Sequence, residues 1–99
     1  MAYNRLVKKL TKENLWLYVM SVLKEKPRYG YEVKKAIREK FNFSPSTVTV
    51  YAVLYRMVRE GLIKKVKRNG ETYYVPTEYG LDTFERAKEF IDSLKKLLF

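Results

Sequence analysis

Residues 43–62, FSPSTVTVYAVLYRMVREGL, decide how this chain folds. Ser44 is a good N-cap, Pro45 suits a first helical position whose backbone N–H has no partner anyway, and Gly61 stands where a left-handed residue closes a helix. Together they predict a helix over about Pro45–Glu60. With a turn of about 100° per residue, Val50, Leu54, Met57 and Val58 share one face. Val48, Thr49, Ala52, Tyr55, Arg56 and Arg59 lie on the other, which carries two cations and no acid. Small groups that approach base edges, mixed with Arg and Tyr that reach bases or phosphates, are the pattern of a recognition helix. An ordinary surface helix would show the same face, so the flanking segments decide between the two.

Downstream, Leu62–Lys67 and Thr72–Thr77 read as two strands around Arg68–Asn69–Gly70–Glu71. Asn-Gly favours a type I′ turn, which needs positive φ at both central residues. Counting outward from the turn, Val66 pairs with Tyr73 and Lys64 with Val75 on one face, expected to lie toward the helices. Lys65, Lys67, Thr72 and Tyr74 take the other, expected in water. Such a hairpin, tipped by Arg68 and Asn69, has the shape of a wing. Thr77 then caps a last helix, with Glu78 well placed in its first turn. Phe84, Ala87, Ile91, Leu94 and Leu98 recur at spacings of three, four, three and four, widened by Phe90 and Leu97, which is a coiled-coil seam suited to a second copy.

Upstream, Asn42–Pro45 makes a short connection to a basic helix that begins near Tyr29–Tyr31, with Val33, Ala36, Ile37 and Phe41 inward and Lys34, Lys35, Arg38 and Glu39 near or in water. Pro27 ends the helix before it, LWLYVMSVL at 15–23, which is apolar nearly all round and so expected at the centre. Trp16 within it is expected in the core or at an interface. At the N-terminus Tyr3, Leu6, Val7 and Leu10 form the stripe of a short amphipathic helix whose outside carries Arg5, Lys8 and Lys9. The fold class expected is mainly α with a two-stranded β wing, a winged helix-turn-helix over residues 12–77 with an N-terminal helical extension at 1–11 and a dimerisation helix at 78–99.

Charge follows this division. The 99 residues carry a net charge of +10, yet the last helix, 78–99, has four cations against five acids, so the excess belongs to the first seventy residues. A localised excess of this kind points to a polyanionic partner for that part. The chain has no Cys and no His, which leaves no disulfide framework, no usual transition-metal site and no thiol or imidazole catalysis. Asp82, Glu85, Glu89 and Asp92 fall at solvated helical spacings without a nucleophile, so no enzyme, metal or cofactor is expected. The longest apolar run, Leu15–Met20, is too short to span a bilayer, and no signal peptide is visible; a cytoplasmic protein without membrane contact is expected.

Specific stretches resemble the PadR family of transcriptional regulators. LKEKPRYGYEVKKAI resembles the family's apolar helix, Pro and Gly-Tyr-Glu opening; VTVYAVLYRMVREGLIK resembles its recognition helix, through Tyr51, Leu54 and Glu60–Ile63; YYVPTEYG, Tyr73–Gly80, resembles its second wing strand running into Thr-Glu-x-Gly. The resemblance covers about residues 15–85. Two departures stand out. Ala52 occupies the place where members usually carry Pro after the helix Tyr, and Ser44–Thr47 adds about two residues before Val48. Members that bind planar drugs use a Trp of the last helix, and this last helix has none.

The resemblance implies a homodimeric DNA-binding regulator, more often a repressor, on a pseudo-palindromic operator; the sequence names no small-molecule effector. Thr49, Tyr55 and Arg56 are the candidate groove contacts. Ser46, Thr47 and Tyr51, with Tyr29, Lys34 and Lys35, are the candidates near phosphate, and Lys65, Lys67, Arg68 and Asn69 form the wing set. Phe84, Ala87, Ile91, Leu94 and Leu98 are the candidate dimer seam. A second reading of the same residues is a winged-helix interaction module that docks on an acidic protein.

Overall fold

The helix at the centre, α2 (Leu15–Glu25), buries Leu15, Val19, Met20, Val22 and Leu23. Its position comes from a computed structural model that describes all 99 residues, Met1–Phe99. Ahead of it lies α1 (Ala2–Leu10), joined by a single 3-10 turn, Lys12–Asn14. Behind it follow β1 (Arg28–Tyr29), α3 (Gly30–Phe41), α4 (Thr47–Arg59), β2 (Ile63–Arg68), β3 (Glu71–Pro76) and α5 (Glu78–Leu98). Fourteen apolar residues from α2, α3, α4 and the start of β2 form one core, with Trp16, Tyr18, Phe41, Phe43, Val58, Tyr74 and Phe84 packed around it. Trp16 thus sits at the edge of the core.

α2 ends as expected, with Lys26 extended before Pro27. The chain turns back through Arg28, whose Nε donates to the Val22 carbonyl at 2.9 Å, one of the carbonyls a helix end leaves open. Glu25 accepts from Lys40 at 2.6 Å and from the Arg28 guanidinium at 2.8 Å. These cations, Lys40 foremost, hold its carboxyl below the usual carboxylate range. Tyr29 then caps α3, its backbone N–H donating to Glu32 Oε1 at 2.8 Å.

The sheet has three strands in the order β1-β3-β2, not the two of the expected wing. Arg28 pairs with Tyr74 and Tyr29 with Tyr73. β1 is only two residues long and finds its partner more than forty residues away, so no local pattern announces it. The hairpin itself keeps the expected register, Val66 opposite Tyr73 and Lys64 opposite Val75. Asn69 and Gly70 have φ of 52° and 78°, the signs a type I′ turn requires. Its faces are reversed, however. Ile63 is buried at the start of β2, and alternation then puts Lys65 and Lys67 with Ile63 and Tyr74 on the helix side. Val66, Tyr73 and Val75 face outward instead. The buried Ile63, whose phase lies outside the symmetry of the turn, fixes this parity.

α4 also starts later than expected. Pro45 is buried rather than placed in a first helical turn, and Ser46 is the N-cap, its Oγ accepting from the Thr49 N–H at 3.1 Å. The two added residues before Val48 therefore lengthen the connection, and the helix runs unbroken through Ala52. It closes in a Schellman arrangement: the Leu62 N–H donates to Met57 O at 2.9 Å and the Gly61 N–H to Val58 O at 3.1 Å, with Gly61 at φ 79°.

The same loop anchors α5. The Thr77 N–H donates to the Leu62 carbonyl at 3.1 Å, its hydroxyl reaches the Gly61 and Leu62 carbonyls at 2.5 and 3.2 Å, and its Oγ1 accepts from the Gly80 N–H at 2.9 Å. A Cβ on Gly80 would stand 1.9 Å from the Leu62 oxygen, so only glycine allows this approach. Beyond Ala87, Phe90, Ile91, Leu94, Leu97 and Leu98 are exposed, although Ile91 still lines a groove with Leu17, Tyr18 and Phe41. α1 buries no residue at all, and its Tyr3, Leu6, Val7 and Leu10 are exposed as well. No helix is long and apolar enough to cross a membrane.

Candidate nucleic-acid interface

The outermost line of α4 is Val48, Ala52, Tyr55 and Arg59, all exposed, at helical steps of four, three and four. Val48 is 80% and Tyr55 67% exposed. The Arg59 guanidinium lies 5.8 Å from the Tyr55 ring, within cation–π reach. Val48 and Arg59 were absent from the residues the sequence nominated, although their phase on the helix is legible from spacing alone.

Of the candidate contacts on α4, Tyr55 lies on this ridge and the others divide between its two flanks. On the α3 side stand Thr47 and Tyr51. Lys34 Nζ donates to Thr47 Oγ1 at 3.2 Å, which brings two phosphate candidates together. Tyr51 lies across Gly30 so closely that a Cβ there would meet its ring at 2.6 Å. Burial pushes the Tyr74 hydroxyl above its ordinary range, and the Tyr51 phenol beside it adds to the effect. Tyr51 therefore braces α4 against α3 and the sheet while remaining half open to solvent. On the opposite flank Ser46 donates to Thr49 Oγ1 at 2.8 Å. Arg56 opens there on a wide groove of about 730 Å³ whose walls include Glu13, Trp16, Glu60 and Tyr79. Lys35 on α3 is exposed.

Tyr29 is placed differently from a free phosphate ligand. Its hydroxyl donates to the Tyr73 hydroxyl at 2.6 Å, and its ring stacks on Tyr73 at 4.2 Å and on Tyr31 at 5.6 Å. The bond to Tyr73, with Glu71 next, raises its pKa above the usual tyrosine range. On the hairpin Lys65, Lys67, Arg68 and Asn69 are exposed, and Arg68 lies 5.8 Å from the Tyr73 ring.

The ion pairs sharpen the picture. There are four, Lys9–Glu13, Glu25–Arg28, Glu25–Lys40 and Lys88–Asp92. None involves Lys34, Lys35, Arg56, Arg59 or any hairpin cation. A convex ridge flanked by a basic hairpin, with all its cations unneutralised, can do one kind of chemistry well: it can lie in a groove and hold phosphates on both sides.

The sequence profile of the Transcriptional regulator PadR-like family matches residues 19–86, well over half of the chain. The chain belongs to this family. Among solved structures, a PadR family transcription regulator from hypervirulent Clostridium difficile is 32% identical, covering 84% of this chain and 92% of that one, with a TM-score of 0.73. A winged-helix DNA-binding protein from STIV covers 85% and 92% with a TM-score of 0.72; at 15% identity that likeness concerns the fold alone. A curated relative, Replication termination protein of Bacillus subtilis, is 28% identical over 86 residues, which is 82% of this chain and 70% of the relative. The PadR-like chain is thus a winged-helix regulator whose α4 and hairpin occupy the positions of recognition helix and wing. The family's words also acquire a physical meaning: Glu-Gly-Leu-Ile and Thr-Glu-x-Gly are the two halves of the joint at Leu62, Thr77 and Gly80.

Proposed function

We propose that this chain is a cytoplasmic, homodimeric, sequence-specific DNA-binding repressor that reads a pseudo-palindromic operator. The observation that carries the proposal is the set of unpaired cations on α4 and the hairpin, around a ridge that no other element covers. Tyr55 and Thr49 with Arg56, joined by Arg59, are the proposed groove contacts. Ser46, Thr47, Tyr51, Lys34 and Lys35 lie near phosphate, and Lys65, Lys67, Arg68 and Asn69 serve as the wing. Tyr29 acts through Tyr73, as a brace for the wing.

The terminal helices support the dimer. α1 has an apolar stripe flanked by Arg5, Lys8 and Lys9, while α5 has one whose N-terminal half is flanked by Asp82, Glu85 and Glu89, with Asp92 already paired to Lys88. A second copy that lays its α1 along this chain's α5 covers both stripes and sets opposite charges side by side. Ile91, Leu94 and Leu98 form the seam in this arrangement; Phe84 and Ala87, already half-buried against their own domain, continue it. Two ridges so joined address successive major grooves, about 10–10.5 base pairs apart.

Selection of bound sequences from a random duplex pool tests operator, symmetry and DNA binding together. With about 6–10 phosphates neutralised, affinity falls about 10³–10⁵-fold between 50 and 200 mM salt. A shallow salt response without an enriched site would overturn the proposal in favour of docking on an acidic protein. Arg56→Ala is expected to cost about 1–3 kcal/mol and to relax one operator position; uniform weakening on all sequences would assign Arg56 to phosphate.

The likeness to Replication termination protein favours a second reading, in which the same DNA-bound dimer acts on replication rather than at a promoter. A replication fork reconstituted on DNA carrying the selected site separates the two: arrest at the site supports termination, and undisturbed passage with lowered transcription supports repression.

A further inference from the structure

The reversed hairpin leaves a surface on the side of the sheet away from Lys65 and Lys67, which shares only Arg68, at its edge, with the proposed DNA contacts. Across the outer face of the sheet Tyr29, Tyr73 and Val66 stand in one row, because their backbones are in register. Val75 and Lys64 form the next row, and Arg68 faces Glu71 nearer the tip. Together with the bend after α2 they enclose a shallow cavity of about 300 Å³, lined by Lys26, Pro27, Val66, Arg68, Tyr73 and Val75. No helical residue contributes to that lining. Val66, a β-branched residue suited to burial, is 38% exposed here.

We infer that this outer face docks an acidic protein segment that inserts one large apolar side chain into the cavity between Pro27, Val66 and Val75. Three features select this occupant. The rim cations Lys26, Lys64 and Arg68 belong to none of the chain's ion pairs, so they offer charge complementarity to Asp and Glu. The floor is aliphatic, and the one aromatic in it is already engaged: the Tyr73 ring stacks with Tyr29 at 4.2 Å and has the Arg68 guanidinium 5.8 Å from its centroid. A nucleobase, which needs an open ring to stack on, would have to displace one of these partners within the cavity. Strand alternation also turns this face away from Lys65 and Lys67, so a partner can sit here while the ridge of α4 is on a duplex.

The test is selection of peptides from a randomised displayed library on the full-length protein, with counter-selection on the Val66→Ser variant. Enriched peptides should carry several Asp or Glu around one large apolar residue. A synthetic peptide of enriched sequence should bind Val66→Ser and Lys26→Glu about tenfold more weakly than the parent protein. Lys26 is exposed, so its variant reports on the rim even where Val66→Ser is less stable. Affinity of Val66→Ser for the selected duplex should equal that of the parent, which keeps this inference separate from the DNA reading. No enrichment over counter-selection, enriched peptides without acids, or equal binding to both variants would overturn it. So would oligothymidylate binding that Val66→Ser abolishes, which makes the face a single-strand site, or a changed oligomer mass in that variant, which makes it a contact between copies.

Discussion

Between Leu15 and Pro76 the helices α2, α3 and α4 each bury four or five residues, whereas α1 buries none and α5 buries only Gly80. The same chain therefore contains a part that closes a core by itself and two helices whose apolar stripes are left in water. The parts also differ in charge. The closed part carries the unpaired cations of the ridge and hairpin, α1 is basic as well, and α5 carries slightly more acid than base. What the contrast teaches is that, under the proposed function, reading and assembly would draw on separate surfaces: one set of residues supplies stability to a single chain, the other would supply it only when a partner arrives. A nine-residue α1 has too few turns to be stable by propensity.

The sharpest way to break this contrast is inside the core. Leu54→Ala, at a fully buried position of α4, is expected to lower the unfolding free energy by about 2–5 kcal/mol. Denaturant titration should show the same loss at every protein concentration; a loss that depends on concentration would mean that the closed part is not closed. Next comes the joint between the parts. Gly80→Ala drives a Cβ into the Leu62 carbonyl and is expected to cost about 1–3 kcal/mol. Gly30→Ala should cost less, because its new Cβ meets the far end of the Tyr51 ring, which can swing.

Leu94→Asp addresses the outer part. Sedimentation should show dimer association weakened about tenfold or more, roughly 1.4 kcal/mol, while far-UV circular dichroism of the single chain stays as it was. Loss of helical signal in the dilute variant would place Leu94 in the closed part instead. Ser46→Ala, the smallest change, removes the side-chain cap of α4 and is expected to cost about 1 kcal/mol. Its effect on DNA affinity should exceed its effect on dimer mass, since the cap lies at the reading end.

Local chemistry carried much of the fold into view. Asn69-Gly70 fixed the hairpin register, Thr77 capped α5, and the 3.6-residue phase of α4 separated its core from its ridge. Less visible was anything decided by a distant neighbour. β1 exists because Tyr73 and Tyr74 are there to pair with it, and the hairpin faces are set by Ile63, not by the turn. In the candidate site the unpaired cations could be anticipated from composition along the chain. The roles of Tyr51 and Tyr29 could not, because each depends on contact with another element, Gly30 for one and Tyr73 for the other. That Ser46 and not Ser44 is the cap was hidden for a related reason: both have the right side chain, and only burial of Pro45 separates them.

The bond set at Leu62, Thr77 and Gly80 has a mechanical consequence. α5, at 21 residues, is a rod of about 30 Å, clamped at the point where recognition helix and wing meet. A tilt of about 6° at the clamp sweeps the free end through about 3 Å, close to one base-pair step of about 3.4 Å. For a pair of chains joined as proposed, operator spacing would be set by an angle held on two neighbouring carbonyls, those of Gly61 and Leu62.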